Sequence, residues 1–497
     1  MEAETVQVRT SPFTAITPDW VKDSIFYQIF PDRFAKSDRV EKPHNLESWE
    51  SPPTAYGFKG GDLLGVAEHL DYLVDLGVNA LYFCPIFQST ANHRYHTYDY
   101  YQVDPILGGN EAFKVMLNEA HRRGIRVIID GVFNHASRGL YQFNHTLENG
   151  TASPYYDWFT FKHFPLHAYD DYGAPGYEAW WNLKALPKFN HSNPQVREFI
   201  FRVAEHWIEQ GADGWRLDVP GEIDDDEFWR EFRRRVKRAN SDAYIVGEIW
   251  HQATRWLVGD QFDAVMNYQF TRACLSFFIN LDEEARQMTH GHSYGDLTEY
   301  DARTFGRRLE EALAWYPSEI AYAQLNLIDS HDTARFLSIA KRDNTALALA
   351  YLTMMTYPGA PMIYYGDEIG MLGGKDPDCR RSMIWDESRW DHDLRDKMKK
   401  YIALRKKYAV LRRQSEYAHL YSEGKVYAFA RQRDGQTVIV ALNAGRRAET
   451  IDVTIAPLLA DGAVVSEEWG DQKKRVENGK LTGLEIPARD GVIWAAP

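Results

Sequence analysis

The protein has 497 residues, of which 44% are hydrophobic and 26% are charged. These proportions are typical of a folded globular protein and exclude disorder on a large scale. The length predicts about three domains. The 57 basic and 71 acidic residues give a formal charge of −14. This surplus would repel nucleic acid and anionic membranes, so we expect neither as a partner.

The cysteines and the first residues predict a cytoplasmic protein. Three cysteines are far apart and form no Cys-x-x-Cys pair, which argues against a zinc site or a disulfide framework. Residues 1–17 lack the basic start and the long apolar run of a secretory signal. The most apolar stretch, Ala346–Tyr365, contains Pro358 and Pro361. It predicts a buried helix followed by a buried strand rather than a membrane span.

Short apolar runs alternate with amphipathic helix patterns along most of the chain. The helix patterns include Leu63–Leu76, Pro194–Glu209 with Asn193 as N-cap, and Asp225–Arg238. This alternation predicts a parallel sheet, and eight strands close a (β/α)8 TIM barrel. A doubly wound open sheet is the alternative, but no Gly-x-Gly-x-x-Gly motif follows the first strand. The predicted strands are Ile25–Phe30, Val78–Phe83, Ile125–Asp130, Gly214–Asp218, Tyr244–Glu248, Ala264–Asn267, Gln324–Ile328 and Pro361–Tyr365.

Two segments depart from this alternation. Residues 131–190 are too long for a loop and rich in aromatic residues, which predicts a small domain inserted after the third strand. From residue 408 the pattern changes to short alternating runs, which predicts a C-terminal antiparallel β-sandwich domain. The barrel would then comprise residues 1–130 and 191–407. The C-terminal strands are predicted at Val426–Arg431, Thr437–Asn443, Thr450–Ile455 and Val492–Ala496.

Carboxylates stand where several predicted strands end. Asp130, Asp218 and Glu248 end the third, fourth and fifth strands, and the seventh runs into Asp332. The carboxyl ends of barrel strands form the face that holds active sites. The sequence therefore predicts one polar cluster at this rim. Taken singly, a structural ion pair or a salt-bridged rim carboxylate is the alternative reading.

The surroundings of two carboxylates suit the cleavage of a glycosidic bond, which needs a nucleophile and a proton donor. Arg216 and Asp218 are two apart on a strand, so their side chains share a face. We expect the guanidinium to lower the pKa of Asp218 and to keep this carboxylate ionised. Ile249 and Trp250 give Glu248 an apolar setting that would raise its pKa and hold its proton.

Several segments resemble the signature regions of the α-amylase family, glycoside hydrolase family thirteen. They are DGVFNH at 130–135, GWRLDVP at 214–220, GEIW at 247–250 and NLIDSHDT at 326–333. LPKFN at 186–190 is similar to the fifth region in the neopullulanase–cyclomaltodextrinase branch. GGDLLGVAEHLDYL and YYGDEIG resemble two further family segments. The resemblance covers residues 20–497 and is greatest to the short cyanobacterial debranching enzymes of that branch.

The resemblance implies a role for each carboxylate. Asp218 is expected to be the nucleophile, Glu248 the general acid/base and Asp332 the stabiliser of the transition state. The implied reaction is retaining hydrolysis of α-1,4 and α-1,6 bonds in maltodextrins, cyclodextrins, pullulan or short branched malto-oligosaccharides, through a covalent glucosyl–enzyme intermediate. The alternatives are a glucan transferase or isomerase and an inactive carbohydrate-binding protein. The implied substrate-binding residues are His96, Tyr98, His135, Arg216, Trp250, His331 and Arg335.

Two departures from the family pattern carry expectations of their own. Glu222 stands where calcium-dependent members have a histidine, so we expect no metal requirement for catalysis and no cofactor. Full activity after exhaustive EDTA treatment would agree with this. The first predicted strand begins near residue 25, which leaves no room for the extra N-terminal domain of many relatives. The oligomeric state is therefore expected to be a monomer, or a dimer without that domain.

Overall fold

The computed structural model describes residues 4–5, 16–170 and 172–496. Eight parallel strands, numbered β1 to β8 in chain order, close into a barrel in which neighbours along the chain are hydrogen-bonded and β8 pairs with β1. The closed barrel confirms the predicted TIM barrel and excludes the open sheet. The eight strands are Phe26–Ile29, Ala80–Phe83, Arg126–Gly131, Gly214–Leu217, Tyr244–Gly247, Ala264–Asn267, Leu325–Asn326 and Ala360–Tyr364.

The barrel strands are apolar because both of their faces are covered. Every residue of β1, β2, β4 and β5 is buried. Strands of a parallel sheet that are buried on both faces show continuous apolar runs rather than alternation. This is why short apolar runs in the sequence marked the strands correctly.

The helices follow their predicted signals with one exception. Pro194–Glu209 has the predicted bounds, and the Asn193 side chain accepts a hydrogen bond from the Gln195 N–H. The single helix predicted over Leu63–Leu76 is wrong, because His69 interrupts it. The α-helices are Asp19–Lys22, Pro31–Phe34, Leu63–Glu68, Leu70–Leu76, Gly109–Arg122, Tyr141–Asn149, Pro194–Glu209, Asp226–Ala239, Tyr268–Phe278, Glu283–Thr289, Ala302–Ala314, Ser318–Ala321, Phe336–Ile339, Asn344–Thr356, His392–Lys407 and Ala409–Arg412.

The His69 ring explains the interruption. Its Nδ1 lies 2.8 Å from the Gly65 carbonyl oxygen, and its ring centroid lies 4.0 Å from that of Trp385. The ring thus contacts a side chain far along the sequence, which helix periodicity cannot reveal. In contrast, helix Asn344–Thr356 and strand β8 confirm the reading of the apolar stretch as a buried helix and strand. Within the described residues, no helix is both long and apolar enough to cross a membrane.

Aromatic side chains pack together in the segment between β3 and β4. The ring of Phe143 lies 5.0 Å from Phe159 and 4.9 Å from Tyr177. An isolated bridge between His135 and Lys188 ties the two ends of this segment together. The short strands Phe87–Ser89 and Thr97–Val103 form a hairpin before it. The division of the chain into three domains at the stated boundaries stays a prediction.

The C-terminal residues form the predicted antiparallel β structure. A seven-stranded sheet includes Glu4–Thr5 at one edge, and Glu449–Thr454 pairs separately with Lys480–Ile486. The Arg431 guanidinium donates to the Thr356 carbonyl at 2.8 Å and so joins this sheet to the barrel. The other six strands of the large sheet are Glu416–Glu423, Val426–Arg433, Gln436–Asn443, Val464–Glu467, Lys473–Arg475 and Asp490–Ala496.

The contact between β4 and β5 predicts the effect of a methyl group at Gly214. A Cβ there would lie 2.2 Å from the Tyr244 carbonyl oxygen, so Gly214→Ala must push the two strands apart. We expect the free energy of unfolding, from urea titration, to fall by about 1–3 kcal/mol. Gly221→Ala is the control, because its Cβ would meet Trp256 no closer than 3.8 Å. Equal stability of the two variants would contradict this account.

Candidate active site

One buried guanidinium holds three carboxylates at the carboxyl ends of neighbouring strands. Arg216 on β4 is fully buried, and its Nη1 donates to Asp130 at 2.9 Å and to Asp218 at 3.1 Å. Its Nη2 lies 3.0 Å from Glu248 Oε2. The hydrogen bond to Asp218 confirms that the two side chains share a face. Because Asp218 and Glu248 both form ion pairs with this guanidinium, the two carboxylates lie beside each other.

A cavity of about 630 Å³ opens over these carboxylates. His331 lies just behind it, with Nε2 3.2 Å from Asp332 Oδ2, and Arg216 lies beneath. The structure therefore brings together eight of the residues named from the sequence. The six of them that line the cavity are Asp218, Glu248, Asp332, His96, His135 and Trp250.

Burial raises the pKa of Glu248 to about 7. This agrees with the direction predicted from the sequence, although the predicted cause is only partly right. Trp250 does not act as an apolar neighbour, because its Nε1 donates to Glu248 Oε1 at 3.1 Å. This hydrogen bond lowers the pKa, as does the one from the Val219 N–H at 3.1 Å. Glu248 can therefore hold or release a proton near neutral pH.

Burial also raises the pKa of Asp218 well above its usual range, and it outweighs the Arg216 guanidinium, which lowers that pKa. The expectation of a lowered pKa is therefore wrong. The main physical reason is burial, and the negative charges of Glu248 and Asp130, which contact the same guanidinium, raise the pKa further. Buried like charges cannot all ionise together. The raised pKa values of Asp218 and Glu248 therefore favour a proton shared within this cluster.

Asp332 is held in the ionised form. Burial acts to raise its pKa, but His331 and Arg380 together bring the pKa below its usual range. The Arg380 Nη2 donates to Asp332 Oδ1 at 3.2 Å. Arg380 comes from the loop after β8 and was not identified from the sequence. Burial lowers the pKa of His331 to about 3, so its ring is neutral.

Two of the predicted substrate-binding residues lie elsewhere. Tyr98 does not line the cavity; it is half-buried on strand Thr97–Val103 and packs against the core. Arg335 is fully buried, where its Nη1 donates to Asp367 at 2.8 Å and to the Tyr365 carbonyl at 2.8 Å. Neither residue belongs to the lining of this cavity, and their roles in substrate binding stay predictions.

Tyr95, three residues before Tyr98, does line the cavity. Its hydroxyl donates to Asp130 at 3.0 Å, and its ring stacks on His331 at 5.5 Å. It lies in the loop before the strand, where its side chain reaches the rim. No pattern in the sequence distinguishes Tyr95 from Tyr98, because the start of this strand at Thr97 is known only from the structure. Other cavity residues missed in the sequence are His93, Trp180, Trp181, Leu183, Leu186, Glu222, His292, Asp376 and Arg380.

The backbone next to Asp218 is strained. Val219 has φ 35° and ψ 48°, a left-handed conformation that is rare for a β-branched residue. Such conformations cost about 1–3 kcal/mol and occur where function requires them. Here the conformation accompanies the Val219 N–H bond to Glu248 at 3.1 Å. The strained residue thus links the two carboxylates through the backbone.

Glu222, which stands where calcium-dependent family members have a histidine, forms an ion pair. Glu222 Oε2 lies 3.1 Å from the Lys188 Nζ, a cation that would oppose a bound metal ion. Among residues 16–170 and 172–496, no group of three or more histidine, cysteine, aspartate or glutamate side chains could hold a metal ion. The absence of a metal requirement stays a prediction.

Comparison with known proteins identifies the family. Residues 28–434 match the alpha amylase catalytic domain, and residues 417–495 match the neopullulanase-like C-terminal domain. A cyclomaltodextrinase from a Bacillus species is 46% identical over 437 residues, 87% of this chain and 75% of the relative. The chain belongs to the α-amylase family, and the predicted glycoside hydrolase class is confirmed.

Solved structures agree with this assignment. The protein Ttha1563 from Thermus thermophilus is 46% identical with a TM-score of 0.91, over 96% of this chain and 100% of that one. The debranching enzyme from Nostoc punctiforme is 45% identical with a TM-score of 0.88, over 97% of this chain and 100% of that one. The likeness to a debranching enzyme was expected from the sequence and is confirmed.

Measurements of stability can distinguish a structural role of Arg335 from substrate binding. Arg335→Met would leave Asp367 buried without its cation, so we expect the free energy of unfolding to fall by about 3 kcal/mol. Urea unfolding monitored by circular dichroism measures this. Arg381→Met is the control, because Arg381 forms a partly exposed pair with Asp378 that contributes at most about 1 kcal/mol. Unchanged stability with a raised KM would instead favour a substrate contact.

Proposed function

We propose that this enzyme cleaves α-glucans with retention of configuration, with Asp218 as nucleophile, Glu248 as general acid/base and Asp332 as stabiliser of the transition state. The observation that supports this most is the shared Arg216 guanidinium, which sets Asp218 and Glu248 side by side on one cavity. Their differing environments suit two different roles.

The first step requires that the proton of the cluster resides on Glu248 and that Asp218 is ionised. Glu248 gives this proton to the glycosidic oxygen while Asp218 attacks the anomeric carbon. The bond from that carbon to the oxygen breaks, an ester to Asp218 forms, and the leaving sugar departs as an alcohol. Arg216 balances the charge of Asp218 before the attack, since it donates to this carboxylate at 3.1 Å.

In the second step Glu248, now ionised, takes a proton from water. The water oxygen attacks the anomeric carbon and the ester to Asp218 breaks, which restores both carboxyl groups. Positive charge develops on the sugar ring in both steps. Asp332 lies at the cavity with its pKa held low, so its negative charge is available to stabilise this state.

We infer that the substrates are maltodextrins, cyclodextrins, pullulan or short branched malto-oligosaccharides. A cyclomaltodextrinase and a debranching enzyme are among the relatives, and their names point to α-1,4 and α-1,6 bonds. A glucan transferase is the second candidate, since a sugar hydroxyl could replace water in the second step. The cytoplasmic location and the oligomeric state stay predictions from the sequence.

The raised pKa of Glu248 predicts the pH dependence. The acid must be protonated for the first step, so kcat/KM should fall as the pH rises through about 7. Glu248→Gln should lower kcat for maltoheptaose by about 10²–10⁴ while binding persists. With α-glucosyl fluoride, whose leaving group needs no proton, its first step should be nearly normal.

Glu222→Gln is the matched control, because Glu222 also lines the cavity but pairs with Lys188. We expect its activity and its pH profile to be close to those of the unaltered enzyme. Near-normal hydrolysis by Glu248→Gln, or the loss of activity only in Glu222→Gln, would contradict the assignment of the acid.

The products of pullulan digestion show which type of glycosidic bond the enzyme cuts. Panose as the product indicates α-1,4 cleavage, and maltotriose indicates α-1,6 cleavage. We expect both, with the products separated by anion-exchange chromatography. At high maltotriose concentration, dominant longer or rearranged products would instead establish the transferase.

A further inference from the structure

A buried glutamine on β1 contacts the ring of His331 from inside the barrel. Gln28 is fully buried, and its Nε2 lies 2.8 Å from His331 Nδ1. A weaker contact joins the same Nε2 to the Cys84 Sγ at 3.5 Å. Gln28 was not identified from the sequence, because it is uncharged and lies inside an apolar run. Only the His331 ring separates it from Asp332, since His331 Nε2 lies 3.2 Å from Asp332 Oδ2.

The far side of the His331 ring determines which nitrogen carries the hydrogen. Burial lowers the pKa of His331 to about 3, so the neutral ring has a single N–H. Its Nε2 faces two oxygens, the Tyr95 hydroxyl at 2.5 Å and Asp332 Oδ2 at 3.2 Å. An ionised carboxylate can only accept a hydrogen bond, so the hydrogen belongs on Nε2. The Tyr95 oxygen can accept as well, because its own hydrogen goes to Asp130 at 3.0 Å.

The His331 Nδ1 is then left with a lone pair and must accept a hydrogen bond. The Gln28 amide supplies the donor at 2.8 Å, and this orientation of the amide satisfies both ring nitrogens. A hydrogen bond to one imidazole nitrogen sets which of the two carries the hydrogen. The opposite tautomer would turn the Nε2 lone pair toward the Asp332 carboxylate, where two acceptors would face each other.

Packing alone does not require an amide at this position. Gln28 Oε1 has no hydrogen-bond partner within the part of the chain that the structure describes, and a buried polar atom without a partner lowers stability. Methionine is apolar and of similar size, so it would fill the same space without that cost. The closest polar contact of Gln28 is the one to His331, which indicates a role in holding this ring.

We propose that Gln28 is a positioning residue that holds His331 in the tautomer with its hydrogen on Nε2. In this form the ring presents its N–H to Asp332 and supports the negative charge that faces the sugar. The inference rests on the proposed function, in which Asp332 stabilises the transition state. Because positive charge develops on the sugar only in that state, the loss of Gln28 should lower kcat rather than raise KM.

Nitrogen-15 NMR of histidine-labelled enzyme reports the tautomer, because the ring nitrogen that lacks a hydrogen resonates far downfield of the other. The signal of His331 is identified by its loss in His331→Asn. We expect the hydrogen on Nε2 in the unaltered enzyme and a mixture of both tautomers in Gln28→Met.

The same Gln28→Met variant tests the catalytic effect. Its kcat for maltoheptaose should fall about tenfold, as for the loss of one hydrogen bond, with KM within about twofold. Its free energy of unfolding, from urea titration, should change little, because the removal of the unpartnered Oε1 offsets the loss of the donor to His331.

Gln324→Met is the matched control, because Gln324 is also a buried glutamine but bonds the backbone of Ile320 and Val265. It should lose stability while kcat and the His331 tautomer stay unchanged. A hydrogen on Nδ1 in the unaltered enzyme would overturn the inference, as would normal kcat in Gln28→Met. A loss of stability in Gln28→Met equal to that of the control, with the tautomer retained, would also overturn it. The tautomer is read without substrate, so an enzyme with the hydrogen on Nε2 that cleaves no glucan would refute the proposed function alone.

Discussion

The active site depends on one buried cation. Arg216 has no exposed surface, and its guanidinium lies within 3.1 Å of Asp130, Asp218 and Glu248. Three carboxylates brought so close in a buried site repel one another strongly. Arg216 offsets part of this repulsion, and removing it would leave the three carboxylates buried without their shared cation. The same cation also arranges the two groups proposed to react.

The shared cation also sets where the proton resides. Three carboxylates and one guanidinium do not balance, so the cluster keeps a proton near neutral pH. Glu248, with a pKa of about 7, is poised to exchange it. Asp332 differs from both reacting groups, because its own pKa lies below its usual range, and its charge raises the pKa of Asp218 and of Glu248. Asp332 is thus ionised, while Asp130, Asp218 and Glu248 share one guanidinium. Double displacement at a sugar carbon requires one ionised nucleophile and one protonated acid.

Sequence reasoning succeeded where a pattern has a local physical cause. The barrel strands appeared as apolar runs because both faces are buried, and spacing placed Arg216 and Asp218 on one face. Sequence reasoning failed where contacts between distant parts of the chain determine the position of a side chain. Tyr95 and Tyr98 are the same residue type, so their chemistry does not distinguish them. Tyr95 lines the cavity because it lies before the start of the strand at Thr97. Arg380 could not be foreseen, since its reach to Asp332 depends on a loop conformation without periodicity.

The most direct test of the central claim is to trap the proposed intermediate. A 5-fluoro-α-glucosyl fluoride slows both steps but keeps a good leaving group, so the ester should accumulate. Peptide mass spectrometry should then find one added fluoroglucosyl group, on the peptide that contains Asp218. An adduct on Glu248 or Asp130, or turnover that inverts the anomeric centre with no adduct, would contradict the account.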